Sequence, residues 1–187
     1  MKVIKIGVIV GSLRKESLSR KAAKALMLLA PASLEMEIVE IGDLSLFNQD
    51  FEDEGNIPAA WTAFREHIKR FDAFLFVTPE YNRSIPAVIK NAIDIGSRPY
   101  GQSIWNGKPA AVVSVSPGAL GGFGANHHLR QTLVFLNVPA MPQPEAYIGN
   151  ASELFDEKGV LVSERSRSFF ETFMNSFAVW VDTNSAK

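Results

Sequence analysis

One loop near the start of the chain is rich in serine and glycine and could bind an anion. It reads GSLRKESLSR at residues 11 to 20 and contains Gly11, Ser12, Ser17 and Ser19. Serine hydroxyls and free backbone amides just before a helix bind phosphate, and Arg14 could add charge-assisted hydrogen bonds to the phosphate oxygens. The competing interpretation is helix capping by a serine beside a solvated arginine. A buried strand directly before the loop favours phosphate binding.

This segment, named the phosphate loop below, matches neither of two common nucleotide-binding patterns. It is not GxxxxGK[ST], so a nucleoside triphosphatase loop is not matched, and it is not GxGxxG, so the dinucleotide fingerprint also fails. A monophosphate is therefore the better prediction for its ligand.

Two further segments could line a flat ligand. Residues 78 to 86, the ring loop, read TPEYNRSIP, and the amides of Tyr81 and Asn82 could face a planar heterocycle with the Tyr81 ring nearby. The alternative is a β-turn with Asn82 as a helix cap. Residues 116 to 122, the glycine loop, read SPGALGG and could let the backbone approach a ligand closely, although flexible loops have the same composition.

These loops need a scaffold that brings them together. Apolar, β-branched runs predict strands at residues 3–10, 36–41, 74–78, 110–116 and, at a sheet edge, 139–148. Helical spacing of apolar residues predicts helices at 18–29, 57–70, 86–95, 126–136 and 163–181. The order predicts a single α/β domain over residues 1–187, with a five-stranded parallel sheet and helices on both faces. The three loops would then meet at the carboxyl edge of the sheet, where such folds bind ligands.

Composition excludes several classes of function. The 187 residues carry 19 Lys and Arg against 20 Asp and Glu, so no global field would hold nucleic acid or an acidic membrane surface. The absence of cysteine excludes thiolate catalysis and cysteine-ligated metal clusters. No run of residues is long and apolar enough to span a membrane, and the first residues are typical of a strand rather than a signal peptide. We expect a cytoplasmic protein whose redox chemistry, if any, comes from a bound cofactor.

Two sets of charged residues have plain structural interpretations. The acidic run at residues 52–54 is expected to be a solvated loop. Lys90, Asp94 and Arg98 recur at every fourth position, which is typical of an ion-pair ladder on a helix. Arg98 could instead reach a neighbouring subunit or a substrate.

The motifs as a whole resemble one known family. GSLRKESLSR, TPEYNRSIPAVIKNAIDIGSRP and SPGALGGFGANHHLRQTLVFL followed by PEAYIG are similar to the NADPH-dependent FMN reductase family, and most closely to its chromate and quinone reductase branch. The resemblance covers about residues 3 to 180 with spacings preserved, and the middle motif is the specific one. It implies a flavodoxin-like fold and an FMN cofactor.

The resemblance also implies which residues bind FMN. The phosphate loop would hold the phosphate, the start of the ring loop would line the isoalloxazine ring, and the end of the fourth strand would flank that ring. The predicted cofactor-binding residues are Gly11, Ser12, Leu13, Arg14, Lys15, Glu16, Ser17, Leu18, Ser19, Pro79, Glu80, Tyr81, Asn82, Val115 and Ser116.

A homodimer or homotetramer is implied as well, with a neighbouring subunit helping to close the flavin site. His127, Arg130 and Glu145 are expected near subunit contacts or on the surface. His127 and His128 would point about 100° apart on a helix and cannot readily share a metal ion, so we expect no metal site there.

The activity implied is that of an NAD(P)H oxidoreductase. NADPH or NADH would deliver hydride to flavin N5 and leave, and a quinone, chromate or an azo compound would then take the electrons in a ping-pong mechanism. The protein would need no catalytic acid-base pair, and the sequence offers no convincing one. Two alternatives stay open here: a flavodoxin-like electron-transfer protein, although such carriers are typically strongly acidic, and a non-catalytic nucleotide binder.

Overall fold

A parallel sheet runs through the computed structural model, which describes residues 3–185. Its five strands lie in the order β2-β1-β3-β4-β5, and every pairing is parallel. The strands are β1 Ile4–Val10, β2 Leu34–Val39, β3 Ala73–Thr78, β4 Ala110–Val115 and β5 Ala146–Ile148. This strand order is that of flavodoxin-like folds, which confirms the predicted fold class.

Helices cover both faces of the sheet. Their bounds are α1 Leu18–Leu28, α2 Asp50–Asp53, α3 Ala59–Lys69, α4 Ala87–Gly96, α5 Phe123–Phe135 and α6 Glu164–Asn184, with a 3-10 turn at Ala151–Glu153. Helices α1 and α6 pack on one face of the sheet, and α3, α4 and α5 pack on the other. Within residues 3–185, no helix is both long and apolar enough to cross a lipid bilayer.

Burial and capping explain where these elements begin and end. Every residue of β3 and β4 is buried, as expected for central strands with helices on both faces. Helices α1 and α6 begin in the same way: the side chains of Ser17 and Ser163 accept hydrogen bonds from the N–H groups of Arg20 and Ser166. The Ser17 cap places the start of α1 directly at the phosphate loop.

Some element bounds differ from the prediction. The strand predicted at 139–148 is a strand only at Ala146–Ile148, because Pro142 and Pro144 have no N–H to donate to a ladder. Helix α5 begins at Phe123, before the predicted start at 126, and β2 begins and ends two residues earlier than predicted. None of these shifts moves a candidate loop away from the carboxyl edge.

The segment between β2 and α3 is more ordered than its polar composition predicted. It contains α2, and Glu52 forms an ion pair with Arg65 of α3, the two side chains being only 12% and 8% exposed. The Arg65 Nε also donates to the carbonyl of Ile95 at 2.8 Å. The expectation of a solvated loop at residues 52–54 is therefore wrong for Glu52, because a buried guanidinium requires an anionic partner.

The predicted ion-pair ladder on α4 is half correct. Lys90 and Asp94 form an ion pair at 2.7 Å. The Arg98 guanidinium lies instead 5.5 Å from the centroid of the Phe47 ring. Helix α4 ends at Gly96, so the helical spacing on which the prediction rested does not extend to Arg98.

Candidate functional site

The three candidate loops meet at the carboxyl edge of the sheet, as the sequence predicted. A Cβ added to Gly11 of the phosphate loop would lie 3.1 Å from Thr78 Oγ1 and 3.2 Å from Pro79 Cδ of the ring loop. The ring loop in turn contacts the helix after the glycine loop, because Glu80 Oε2 accepts a hydrogen bond from the Ala125 N–H at 3.0 Å. Parallel strands end at one edge, so segments far apart in sequence lie side by side.

The phosphate loop presents hydroxyl groups around the start of α1. Ser17 Oγ accepts from the Arg20 N–H at 3.1 Å, which confirms the capping interpretation for this residue. Capping does not exclude a ligand, because a hydroxyl that accepts through its oxygen can still donate its proton. Ser12 and Ser19 are also buried, and Ser12 Oγ accepts from the Arg14 N–H at 3.4 Å.

Backbone amides add further donors to this loop. The first N–H groups of a helix have no carbonyl partner within the helix. For Leu18 and Ser19, no other acceptor is found in the part of the chain that the structure describes. These amides lie at the positive end of the α1 dipole, which favours an anion.

Arg14 and Lys15 are the cations of the loop that stay available. Both are exposed, and neither forms an ion pair within residues 3–185. Other charged residues of the loop are engaged: Glu16 lies 3.2 Å from Lys21, and both Glu40 carboxylate oxygens accept from the Arg20 guanidinium. Glu16, which the sequence placed among the cofactor-binding residues, thus directs its charge to a lysine, and only its backbone would suit an anion.

The donor set fits a phosphate monoester. It combines buried hydroxyls, unpaired helix N–H groups and one free guanidinium, which are the groups that bind phosphate in proteins. The residues present at this edge therefore fit the phosphate end of FMN.

The ring loop is a tight hairpin. The Tyr81 N–H donates to the Ser84 carbonyl at 2.9 Å, and the Ser84 N–H donates to the Tyr81 carbonyl at 3.0 Å. Asn82 and Arg83 lie between them with φ angles of 51° and 65°, both in the left-handed region, as in a type I′ turn.

This geometry corrects two predictions for the ring loop. The Tyr81 amide cannot face a ligand, because it is already paired within the hairpin. The turn alternative was right, but Asn82 does not cap a helix, since Pro86 is the residue before α4. The exposed Tyr81 ring and the Asn82 N–H, which donates to no acceptor in the described residues, remain available to a ligand.

Glu80 and Pro79 hold the ring loop in place. The Glu80 side chain binds the start of α5, so the predicted role in cofactor binding is left to its backbone. Pro79 packs against Gly11, where an added Cβ would lie only 3.2 Å from Pro79 Cδ, closer than an ordinary van der Waals contact. The sequence prediction named both residues but could not assign them these roles.

Two glycines of the glycine loop are needed for close packing within the protein. A Cβ on Gly121 would lie 2.5 Å from the Tyr147 carbonyl carbon, and one on Gly122 would lie 3.0 Å from a β4 side chain. Both glycines have positive φ angles, 60° and 76°. The expectation that they make room for a ligand is therefore wrong; only Gly118 faces open space, with Ser116 Oγ as the nearest atom at 3.6 Å.

Val115 and Ser116 form a fixed end to β4. Val115 is buried, and the Ser116 N–H donates to the Ile148 carbonyl at 2.9 Å. Ser116 Oγ accepts from the Gly118 N–H at 3.1 Å, which leaves its proton free.

One residue that the sequence prediction missed is Asn91. Its side chain, on α4, accepts from the Phe47 N–H at 2.8 Å and donates to the carbonyls of residues 44–45 at 3.2 and 3.0 Å. This clamps the segment after β2 beside the phosphate loop, where a Cβ on Gly42 would lie 3.3 Å from Leu13. A polar residue on the apolar face of α4 was the available signal, since buried amides need partners.

An aromatic cluster lies next to the glycine loop. His127 Nε2 lies 3.0 Å from the Tyr147 hydroxyl, and its ring is 4.3 Å from that of Phe123. Burial, and then a hydrogen bond and the charge of Glu145, raise the pKa of Tyr147 to about 12, while Arg130 opposes the shift. Within residues 3–185, no group of three or more His, Asp or Glu side chains is placed to hold a metal ion.

The candidate site is an open edge of the sheet, where several large side chains are exposed. Two cavities of about 800 and 770 Å³ lie elsewhere: Phe71 and Lys108 are among the residues that line the first, and Arg98 and Phe135 are among those that line the second. At the carboxyl edge, large apolar side chains are exposed, namely Leu13, Tyr81, Leu120 and Phe123.

The chain is similar in sequence to known flavoenzymes. The model of the NADPH-dependent FMN reductase family matches residues 4–153, which include all three loops. A quinone reductase of Pseudomonas putida is 62% identical over 184 residues, 98% of each chain. A 2-hydroxy-1,4-benzoquinone reductase of a Burkholderia species is 45% identical over 178 residues, 95% of this chain and 96% of the relative.

The similarity extends to solved structures. FerB, a flavoenzyme NAD(P)H:(acceptor) oxidoreductase from Paracoccus denitrificans, has a TM-score of 0.91 and 40% identity, covering 98% of this chain and all of FerB. Family match, relatives and fold agree with the donor set at the sheet edge. The chain therefore belongs to the NADPH-dependent FMN reductase family and is an FMN-dependent oxidoreductase that uses NAD(P)H.

Proposed function

We propose that this protein is a quinone reductase that binds FMN across the carboxyl edge of its sheet. The FMN phosphate lies in the phosphate loop, at Gly11 to Ser19, and the isoalloxazine ring lies between the ring loop and the glycine loop. The observation that carries this proposal is the donor set at the start of α1, which comprises buried hydroxyls, unpaired amides and the free Arg14 guanidinium.

When bound, FMN would supply the redox chemistry, since a flavin can take hydride from a nicotinamide and give electrons to an acceptor. The protein would bind and orient the reactants. Ser12 and Ser17 would donate their hydroxyl protons to the phosphate, and Arg14 would add a permanent positive charge. The free Asn82 N–H would donate to the flavin ring, where fixed backbone dipoles stabilise negative charge without reorganisation. No side-chain acid or base is needed.

Quinones are the proposed acceptors for two reasons. Relatives that are 62% and 45% identical are quinone reductases. The edge also exposes Leu13, Tyr81 and Leu120, which are 59%, 48% and 64% exposed. Such surface suits a flat apolar ring, since its burial is favourable by roughly 25 cal/mol per Å². Chromate and azo compounds are further proposed acceptors, because an open redox site discriminates weakly between oxidants.

A homodimer or homotetramer in the cytoplasm is the proposed assembly. Exposed apolar side chains around the open edge favour a second subunit as the missing wall of the site. The His127 ring lies 4.3 Å from that of Phe123, directly after the glycine loop, and His127, Arg130 and Glu145 would contribute to that contact.

An electron carrier is less well supported than an enzyme. A net charge of −1 provides no strong field for docking to a partner protein. The relatives reported above are reductases that act on small molecules or unspecified acceptors.

An anaerobic titration of the purified protein tests the proposal. We expect the visible absorbance bands of oxidised flavin, their bleaching by NADPH or NADH, and their recovery when a benzoquinone is added. Parallel assays with chromate and an azo dye rank the acceptors, and light scattering gives the number of subunits.

Each alternative predicts a different result. A flavin band that neither nicotinamide bleaches supports the carrier, and a protein that cannot be loaded with FMN supports the non-catalytic binder. Recovery with chromate but not with any quinone contradicts the proposed acceptor.

A further inference from the structure

Helix α5 begins without a capping side chain of its own. Its N-cap residue is Gly122, which has a left-handed backbone and makes no side-chain hydrogen bond to the helix. The acceptor comes from the ring loop, because Glu80 Oε2 accepts from the Ala125 N–H at 3.0 Å across 45 residues of sequence. A carboxylate at a helix N-terminus also interacts favourably with the helix dipole.

The contact between Glu80 and α5 has no room for a larger side chain. A Cβ on Gly124 would lie 2.9 Å from Glu80 Oε2 and 2.7 Å from the Arg83 carbonyl oxygen. A second hydrogen bond ties the same elements together, between Ser84 Oγ and His128 Nδ1 at 2.9 Å. The ring loop is therefore fastened to α5 at two points and fits closely against its first turn.

The start of α5 is in turn fixed to the sheet. Gly121 packs against the Tyr147 backbone, and a Cβ on Gly149 would lie 2.5 Å from the Ala119 carbonyl oxygen. The glycine loop is thus in close contact with β5 and with the residue that follows β5. Any element attached to the start of α5 takes its position from the sheet.

We propose that Glu80 is a positioning residue, which braces the ring loop against α5 and so sets the spacing of the two loops that hold the flavin ring. This inference rests on the proposed placement of FMN between those loops. Glu80 acts through Ala125 and touches neither cofactor nor substrate with its side chain.

FMN titration of the apoprotein, followed by flavin fluorescence, tests this proposal with three variants. Glu80→Ala removes the brace, and we expect the FMN Kd to rise about tenfold. Glu80→Gln keeps an oxygen that can accept from Ala125, so its Kd should stay within about threefold of wild type. Gly124→Ala keeps Glu80 but forces the loops apart, and its Kd should rise about as much as that of Glu80→Ala. Glu171→Ala, an exposed carboxylate of α6, is the matched control.

The outcomes separate this inference from the proposed function. A wild-type apoprotein that binds no FMN overturns both. Wild-type binding with an unchanged Kd in Glu80→Ala, or a Glu80→Gln variant as weak as Glu80→Ala, overturns only the brace. Apoprotein melting is measured for every variant, because a lower Tm with unchanged FMN affinity would reduce Glu80 to a role in stability.

Discussion

The phosphate loop and the ring loop lie at the same sheet edge but use their polar groups differently. In the phosphate loop, the Ser17 hydroxyl caps α1 and still has a proton to donate, and Arg14 has no partner in the described chain. In the ring loop, the Tyr81 amide is paired within the loop, and the Glu80 carboxylate and the Ser84 hydroxyl bind helix α5. The phosphate loop keeps several donors for a ligand, whereas the ring loop uses most of its polar groups to hold its shape and keeps only the Asn82 N–H.

The difference has a testable consequence. Substitutions in the phosphate loop should weaken FMN binding while leaving the fold nearly intact. Substitutions that disturb the ring loop or the glycine loop should alter the local structure, and they should weaken FMN binding as a consequence. The predictions below test this division, beginning with the largest expected effect.

Gly121→Ala should destabilise the protein more than any other change considered. A residue with a side chain costs about 1 to 2 kcal/mol in a left-handed conformation, and overpacking adds about 1 to 3 kcal/mol. With a Cβ only 2.5 Å from the Tyr147 backbone, we expect Tm to fall by roughly 5 to 15 °C in thermal unfolding. Gly118→Ala, whose Cβ would meet nothing closer than 3.6 Å, is the control and should stay near wild type. Equal Tm values for the two variants would contradict a shape-determined glycine loop.

Arg14→Ala, by contrast, should weaken FMN binding without lowering the stability of the apoprotein. Loss of a charge-assisted hydrogen bond costs about 1.5 to 3 kcal/mol, so the FMN Kd should rise roughly 10- to 100-fold. The Tm of the apoprotein should not change, because Arg14 makes no ion pair within residues 3–185. Fluorescence titration measures the Kd, and Arg165→Ala on α6 is the control. An apoprotein destabilised by Arg14→Ala would show that this arginine has a structural role.

Ser17 offers a way to separate capping from ligand binding. Ser17→Ala should lower the free energy of unfolding by about 1 kcal/mol and also weaken FMN binding, because one hydroxyl does both. Ser163→Ala removes a matching cap on α6, where the Ser163 side chain accepts at 3.3 Å, and should lower stability alone. Ser17→Asp keeps the cap but places a negative charge beside the phosphate, so FMN binding should weaken with stability retained. Tight FMN binding by Ser17→Asp would contradict a phosphate at this position.

The smallest expected effect is a dependence of the free energy of unfolding on pH, which arises from Tyr147 next to the glycine loop. The pKa of Tyr147 is raised to about 12 from 10.0, so the unfolded chain loses this proton first as pH rises. The free energy of unfolding should therefore be insensitive to Tyr147 below about pH 10 and should fall between pH 10 and 12. Tyrosinate absorbance and denaturant unfolding measure this, with Tyr147→Phe removing the effect. Tyr100→Phe, an exposed tyrosine, is the control.

Much of the fold could be predicted because its signals are local. Apolar runs marked β1, β3 and β4, and the alternation of strands with helices indicated a parallel sheet and therefore a shared edge for the loops. The bounds of β5 were harder to predict, because Pro142 and Pro144, rather than the composition of the whole run, decide which residues pair. The burial of Glu52 could not be read either, because its partner Arg65 is thirteen residues away on another element.

The candidate site divides in the same way. Serines before a helix and a nearby arginine are meaningful by residue type alone, so the phosphate loop was accessible from sequence. The roles of Glu80, Asn91 and Gly121 depend on atoms brought from distant elements, and residue type does not reveal them. The side chain of Glu80, for example, binds the start of α5, which its place in a conspicuous motif did not indicate.

The short β5 has a consequence for aggregation. An exposed strand edge is a template on which other chains can add strands, and proteins guard against this with short strands and prolines. β5 is only three residues long and follows two prolines, and the opposite border strand, β2, carries the exposed charges Glu35 and Glu37. Neither border of the sheet favours β-augmentation, so the folded chain should resist amyloid-like growth, and any contact between copies of it should use helices and loops.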